Sequence, residues 1–177
     1  MKVAIAFGTT GGATEEVVDK IKDLLGVDAD VLDVSDASAT DLAGYDVIIA
    51  GVPTYEEGEL QEDWGDFVDD LKEVDLAGKK VALFGLGDQE EYAEYFLSGM
   101  GKLYKVFEGC GATMGAGSWA TDGYEFDASE AVMDGKFCGL GIDEDRSQAT
   151  VDGVSGDRGA IDSRPYDYNI RDRWWLH

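Results

Sequence analysis

The residues of this chain best suited to chemistry lie in three short loops, each at the end of an apolar run. Gly8-Thr9-Thr10-Gly11-Gly12-Ala13-Thr14 offers backbone N–H groups, threonine hydroxyls and the positive end of the helix that its successors predict. Together these make a phosphate cradle. No Lys or Arg stands in the loop, so the cradle is neutral; the Gly-Lys-Ser/Thr ending of a Walker A loop is missing, and so is GxGxxG. The second loop, Pro53-Thr54-Tyr55-Glu56-Glu57-Gly58-Glu59-Leu60, carries an aromatic and a flexible glycine. The third, Gly87-Asp88-Gln89-Glu90-Glu91-Tyr92, does likewise. Two tyrosines on neighbouring loops, Tyr55 and Tyr92, can stack on both faces of a flat heterocycle. A Gly/Thr turn alone serves equally as a structural turn, and either tyrosine alone as a rim aromatic. Three such loops at equivalent positions point to a bound ligand.

The elements that must position these loops alternate between strand and helix patterns. Val3 to Phe7 is a near-continuous apolar run, as expected of a parallel strand buried on both faces. Being five residues long and ending in the Gly/Thr loop, it reads as a strand and not as the apolar core of a signal peptide. Thr14 is placed to cap a first helix with Val17, Val18, Ile21, Leu24 and Leu25 on one stripe and Gly26 to stop it. A second strand follows around residues 30–34, and a third, 47–52, stops at Pro53. Leu60, Trp64, Phe67, Val68 and Leu71 predict a second helix, 81–84 a fourth strand, and Tyr92, Phe96, Met100, Leu103 and Phe107 a long third helix. Residues 112–119 and 136–141 read as two halves of a fifth strand, separated by an aromatic, acidic excursion over 120–135. Such alternation predicts an α/β domain with a doubly wound parallel sheet. Ligands bind such sheets outside the carboxyl ends of the strands, where strand order reverses, which is where the three loops fall.

Composition narrows the class further. Fourteen Lys+Arg against 38 Asp+Glu give a formal charge of −24 and a pI near 4.1. Such a surface repels nucleic acid and anionic membranes and steers toward basic partner proteins; it also serves as a solubility device, for example in a high-salt cytoplasm. No apolar run approaches a membrane span. Cys110 and Cys138 are too few for a disulfide framework and read as buried free thiols in a reducing, cytoplasmic setting. In residues 146–177 five Arg balance five Asp, so residues 1–145 carry the whole charge. No amphipathic helix longer than two turns is found in that tail.

The motifs FGTTGGATE, PTYEEGELQEDW, FGLGDQEEYAEYF and SWATDGYEFDASEAVMDGKFCGLGIDED resemble the flavodoxins, specifically the long-chain type, over roughly residues 2–145. The resemblance implies a five-stranded sheet of order 2-1-3-4-5 whose fifth strand is split by the long-chain insertion. It implies non-covalently bound FMN and a monomeric, low-potential electron carrier between redox proteins. Those partners would be ferredoxin/flavodoxin-NADP reductase-like proteins and low-potential acceptors. The phosphate would lie in the loop Thr9, Thr10, Gly11, Gly12, Ala13, Thr14. The ring would lie between Tyr55, where the family usually has Trp, and Tyr92. The backbone of Pro53, Thr54, Glu56, Glu57 and Gly58, with Leu86, Gly87 and Asp88, would line the ring and ribityl chain. Asp145 matches a family carboxylate near the ribityl hydroxyls, and the excursion a loop associated with partner recognition. Glu56, Glu57, Glu90 and Glu91 would disfavour negative charge on the ring and so lower its potential. The Glu56 carbonyl, with Gly58 giving the turn its freedom, would accept from the ring N–H.

The sequence departs from the family in other places besides Tyr55. Gly11 replaces a Thr that usually donates a hydroxyl to the phosphate, at a cost of about 1 kcal/mol. Tyr95 and Leu97 replace polar residues often found near the flavin. The tail after Asp145 does not resemble the amphipathic C-terminal helix of the family; a frame shift near Asp145–Arg146 would explain it, and the gene sequence tests that. Three other readings compete. An FMN-dependent quinone or nitro reductase shares the fold, but the only His is His177 and no acid/base pair stands out. A phospho-acceptor receiver domain needs an acidic pair after the first strand, where Gly8-Thr9 stands. Metal binding by the acidic runs lacks a loop-type ligand pattern.

Overall fold

The computed structural model describes residues 1–115 and 119–143. Asp145 and the tail, with the expectations placed on them, lie outside the described residues. Strand β1 (Val3–Phe7) leads through the first loop into helix α1 (Ala13–Leu25), then β2 (Asp30–Asp33) and a 3₁₀ turn (Ala39–Gly44). Strand β3 (Val47–Tyr55) turns into β4 (Glu59–Leu60) and helix α2 (Glu62–Leu71), and β5 (Lys80–Gly87) is followed by helix α3 (Ser98–Gly109). The remaining strands are short: β6 (Thr113–Met114), β7 (Trp119–Ala120), β8 (Val132–Met133), β9 (Lys136–Phe137) and β10 (Leu140–Asp143).

The main sheet runs β2-β1-β3-β5, and β5 then pairs with both β6 and β10, all in parallel. This is the doubly wound order inferred from the alternation. β1 is buried along its whole length and β3 over its first seven residues, which is why their sequences are continuously apolar rather than alternating. Thr113 and Met114 pair with Lys80 and Val81 at the start of β5, whereas Leu140 to Asp143 pair with Phe84 to Gly87 at its end. The fifth strand is thus two pieces along one edge, as anticipated, but the second begins later than expected. Lys136–Phe137 instead form the middle of a small antiparallel sheet with β7 and β8. Gly139 makes the crossing to β10: a Cβ there would stand 2.4 Å from the Leu83 carbonyl oxygen.

Other boundaries moved for identifiable reasons. β3 continues through Pro53 to Tyr55; its ladder with β1 ends at Gly51, so beyond that point there is a side on which a missing N–H breaks no bond. Leu60 belongs to β4, which pairs antiparallel with the end of β3, and not to the second helix. The third helix starts at Ser98, not near Tyr92. Residues 88–98 form successive turns instead, with Tyr92, Tyr95 and Ser98 N–H donating to the carbonyls of Asp88, Tyr92 and Tyr95. Helix α1 ends on Gly26 in the left-handed conformation, as expected. Its N-cap, however, is Gly12 at φ 85°, with no side-chain cap, and Thr14 is buried in the first turn.

Candidate functional site

The three loops follow β1, β3 and β5, adjacent strands of one sheet, and so open at the same edge. β1 is where strand order reverses, with β2 on one side and β3 on the other. Around the first loop the helix is presented bare. The first bond of α1 crossing from the loop runs from Glu16 N–H to the Gly12 carbonyl, so the N–H groups of residues 13–15 precede the ladder. The Thr9 hydroxyl accepts from Gly12 N–H at 2.9 Å, which fixes the turn. Nothing lies within 4 Å of a Cβ placed on Gly11 or Gly12, so the concave side is open. Glu15 and Glu16 in the first turn face solvent. Open space, free donors and a helix N-terminus fit a phosphate group held by backbone alone.

Beneath this loop lies a residue that the sequence reading did not single out. Gln61, 1% exposed, precedes α2; its Oε1 accepts from Trp64 N–H at 3.2 Å, and its Nε2 donates to Asp63 Oδ2 at 2.6 Å and reaches Thr10 Oγ1 at 3.4 Å. Trp64, fully buried, donates its indole N–H to the Gly51 carbonyl at 2.9 Å. The phosphate loop therefore rests on α2 through one amide and one indole.

The second loop is a three-residue hairpin turn, Glu56-Glu57-Gly58, closed by the Tyr55–Glu59 pair. Both Glu56 (φ 43°) and Gly58 (φ 83°) are left-handed. For Gly58 this is free of strain; for Glu56 it is a conformation L-residues avoid. The turn backs onto the segment before α3, since a Cβ on Gly58 would stand 3.1 Å from Ser98 Cβ and 3.2 Å from Tyr95. Thr54 Oγ1 accepts from Gly99 N–H at 3.0 Å, tying the end of β3 to the first turn of α3.

In the third loop the Asp88 carboxylate accepts from the N–H groups of Glu90 and Glu91, both at 2.9 Å, and so shapes its own turn. Tyr92 stands 41% exposed, an aromatic held out at the mouth of the site. Its phenol is raised above the ordinary value, first by the Glu91 carboxylate, and further by Asp88 and by Glu56 from the opposite loop. Glu56 acts on Tyr92 only through its charge, as the weakest of these influences. Tyr55 is half-buried and Glu56, Glu57, Glu90 and Glu91 are exposed, so the mouth is strongly acidic. Of the two residues that depart from the usual pattern, Leu97 is fully buried at φ 58° and belongs to the core, while Tyr95 packs toward Gly58. Gln89, also not singled out, is 3% exposed and bonded on both sides of its amide. The signal for both glutamines was faint: a neutral polar residue in an acidic stretch, between Asp88 and Glu90 for Gln89 and between Leu60 and Glu62 for Gln61.

A neutral anion cradle, a neighbouring loop pair with tyrosines and an acidic rim, all at the carboxyl ends of adjacent strands, give a doubly wound domain whose open edge fits a phosphorylated, flat ligand. The flavodoxin family model matches residues 5–154. The chain belongs to the flavodoxin family. It is 49% identical to flavodoxin 1 of Salmonella typhimurium over 144 residues, covering 80% of this chain and 81% of that one. To the flavodoxin of Trichodesmium erythraeum it is 45% identical over 154 residues, covering 85% and 90%. Among solved structures, the Fusobacterium nucleatum flavodoxin bound to flavin mononucleotide superposes with a TM-score of 0.81 at 29% identity, covering 86% of this chain and 92% of that one.

Proposed function

We propose that this protein carries electrons between redox proteins on non-covalently bound FMN. The observation that carries the reading is the uncapped N-terminus of α1 behind the open Gly11-Gly12 turn, at the same sheet edge as the Tyr55 and Tyr92 loops. When bound, the flavin supplies the electron-accepting and electron-donating chemistry. The chain does the rest. Backbone N–H groups of the loop Thr9 to Thr14 bind the phosphate without a cation, through hydrogen bonds and the helix N-terminus alone. Tyr55 and Tyr92 sandwich the ring, and Pro53–Gly58 and Leu86–Asp88 line its edge and the ribityl chain. The Glu56 carbonyl, in a turn where Glu56 is already left-handed and Gly58 is free to adjust, accepts from the ring N–H. Glu56, Glu57, Glu90 and Glu91 disfavour negative charge on the ring and hold its potential low.

The acidic surface directs the protein to basic partner proteins, of the NADP-reductase type and low-potential acceptors, and the carrier acts as a monomer in the cytoplasm. The carrier domain is residues 1–145, with Asp145 near the ribityl hydroxyls. Two buried free thiols, Cys110 and Cys138, suit a reducing compartment. The visible spectrum of the purified protein tests the cofactor. Flavin absorption bands, gained on adding FMN to the apoprotein and turning blue on partial reduction, are expected. A protein that stays colourless in the presence of FMN sinks the reading. Steady NAD(P)H oxidation by the protein alone would favour the reductase instead.

A further inference from the structure

The third loop is tied to the rest of the molecule by one buried amide. Gln89 Nε2 donates to Asp143 Oδ2 at 2.6 Å, and Gln89 Oε1 accepts from Glu125 N–H at 2.6 Å. Gln89 is 3% exposed and Asp143, the last residue of β10, is 2% exposed. One side chain thus joins three segments remote in sequence: the loop after β5, the end of β10 and the excursion between the halves of the fifth strand. The same junction is reinforced around it. Asp127 and Ala128 N–H donate to the Ala93 carbonyl at 2.8 and 3.1 Å, and the Tyr124 hydroxyl donates to the Gly141 carbonyl at 2.8 Å. Phe96, Tyr124, Phe126 and Phe137 form one cluster, with centroids 5.3 to 5.9 Å apart.

Gln89 lies between Asp88, whose carboxylate shapes the turn, and Tyr92, whose ring stands at the mouth. Resting on the FMN reading above, we propose that Gln89 is a positioning residue for the flavin ring. Its amide holds the loop Asp88–Tyr92 in the form that presents Tyr92, and it makes the excursion part of the ring site although no excursion residue need touch the ligand. An amide is suited to this because one group must donate to a buried carboxylate and accept from a backbone N–H. Losing it takes one partner from the buried Asp143 carboxylate and one from the part-buried Glu125 N–H, and the loop moves in response.

The phosphate loop, after β1, is supported by Gln61 and Trp64 instead, so the effect is confined to the ring end. Binding of FMN, riboflavin and inorganic phosphate to the apoprotein separates the two ends. In Gln89→Leu, affinity for FMN and for riboflavin falls together by about tenfold or more, while affinity for phosphate is unchanged. Bound riboflavin also becomes more fluorescent as the tyrosine over it loosens. Gln89→Glu alone weakens riboflavin by setting two carboxylates face to face; adding Asp143→Asn exchanges donor and acceptor, remakes the bond and recovers most of the affinity. Riboflavin affinity within about twofold of the parent in Gln89→Leu overturns the proposal. So does a matching fall in phosphate affinity, which would mean general loosening, or a pair no better than Gln89→Glu alone. If Gln89→Leu does not fold, the comparison of Gln89→Glu with the pair decides. A parent that takes up no flavin overturns the FMN reading and this role with it; a parent that binds both flavins, with variants that bind equally well, overturns this role alone.

Discussion

A single methyl group at Gly8 tests how the phosphate loop is supported. Gly8 is the buried residue that joins β1 to the loop, and a Cβ there would stand 2.3 Å from Gln61 Oε1 and 2.8 Å from Trp64 Cδ1. Neither distance is tolerable, so something must move. Trp64 has little freedom: it is fully buried, bonded to the Gly51 carbonyl, and packed edge-on against Phe67 and Phe107 at 5.4 and 6.5 Å between centroids. Gln61 must yield, and in yielding it gives up its bond to Trp64 N–H and its contact with Thr10 Oγ1. Loss of a helix cap costs about 1 kcal/mol, and the residual crowding of the indole about 1 to 3 kcal/mol. Gly8→Ala is therefore expected to lower apoprotein stability by about 2 to 4 kcal/mol, read from urea unfolding with an unchanged m-value. FMN affinity falls as well, because Thr10 loses its support. Gln61→Ser, which shortens the side chain and keeps a capping hydroxyl, should restore about 1 kcal/mol or more in the Gly8→Ala background while costing stability in the parent. If Gly8→Ala unfolds at the parent's midpoint, or if Gln61→Ser gives no rescue, the loop does not rest on Gln61 as argued.

Gly101 sits where α3 meets the excursion, with the Glu130 carbonyl oxygen 2.2 Å from a Cβ placed there. Gly101→Ala should raise amide exchange around residues 128–133 more than in β1 or β3, and uniform exchange would contradict a local contact. The Tyr92 phenol is raised chiefly by Glu91, so Glu91→Gln should bring its ultraviolet titration to lower pH. Because the folded state holds that proton more tightly than the unfolded chain, Tyr92 favours folding below its ordinary titration range. That contribution fades as pH climbs through the ordinary range toward the folded value. The Cys138 thiol is pushed up to about 12 by burial, so at pH 8 it should resist a thiol reagent in the folded protein and react once urea unfolds it. Rapid modification of the native protein would place it at the surface instead.

Much of this architecture was legible because it is written in periods that a buried sheet enforces. β1 and β3 announce themselves as continuous apolar runs, and Gly26 marks the end of α1 by its left-handed conformation. The positions of the three loops follow from these. What misled were places where tertiary contacts overrule spacing. Tyr92, Phe96 and Met100 recur every four residues and imitate a helix, yet Asp88 captures the backbone N–H groups of Glu90 and Glu91 and sets the chain into turns. Leu60 continues the stripe of α2 by spacing, but the hairpin register of β3 and β4 claims it. Thr14 has the right type for a cap, whereas Gly12 reaches the required geometry without a side chain and leaves the helix end bare. The supporting glutamines gave only a faint signal, for a different reason. A buried amide differs from a surface one only in its neighbours in space.

Those two amides also explain how so acidic a chain keeps its interior workable. With 38 acidic residues, a polar group needed beneath a loop could readily have been a carboxylate. A carboxylate accepts but cannot donate, and its charge is costly to bury. At Gln61 the side chain must accept from Trp64 N–H and donate toward Thr10 and Asp63; at Gln89 it must accept from Glu125 N–H and donate to Asp143. Each position sits between a donor and an acceptor, and only a side chain with both functions satisfies both. The phosphate end and the ring end therefore have separate amide supports, the second of them donating to the buried Asp143 carboxylate, while Glu56, Glu57, Glu90 and Glu91 stand exposed at the rim. This division makes a sharp demand: neutralising Glu90 and Glu91 together should raise the flavin potential and leave apoprotein stability nearly unchanged, because exposed carboxylates act through their field rather than through packing. A matching loss of stability in Glu90→Gln/Glu91→Gln would show that rim and support are not separate.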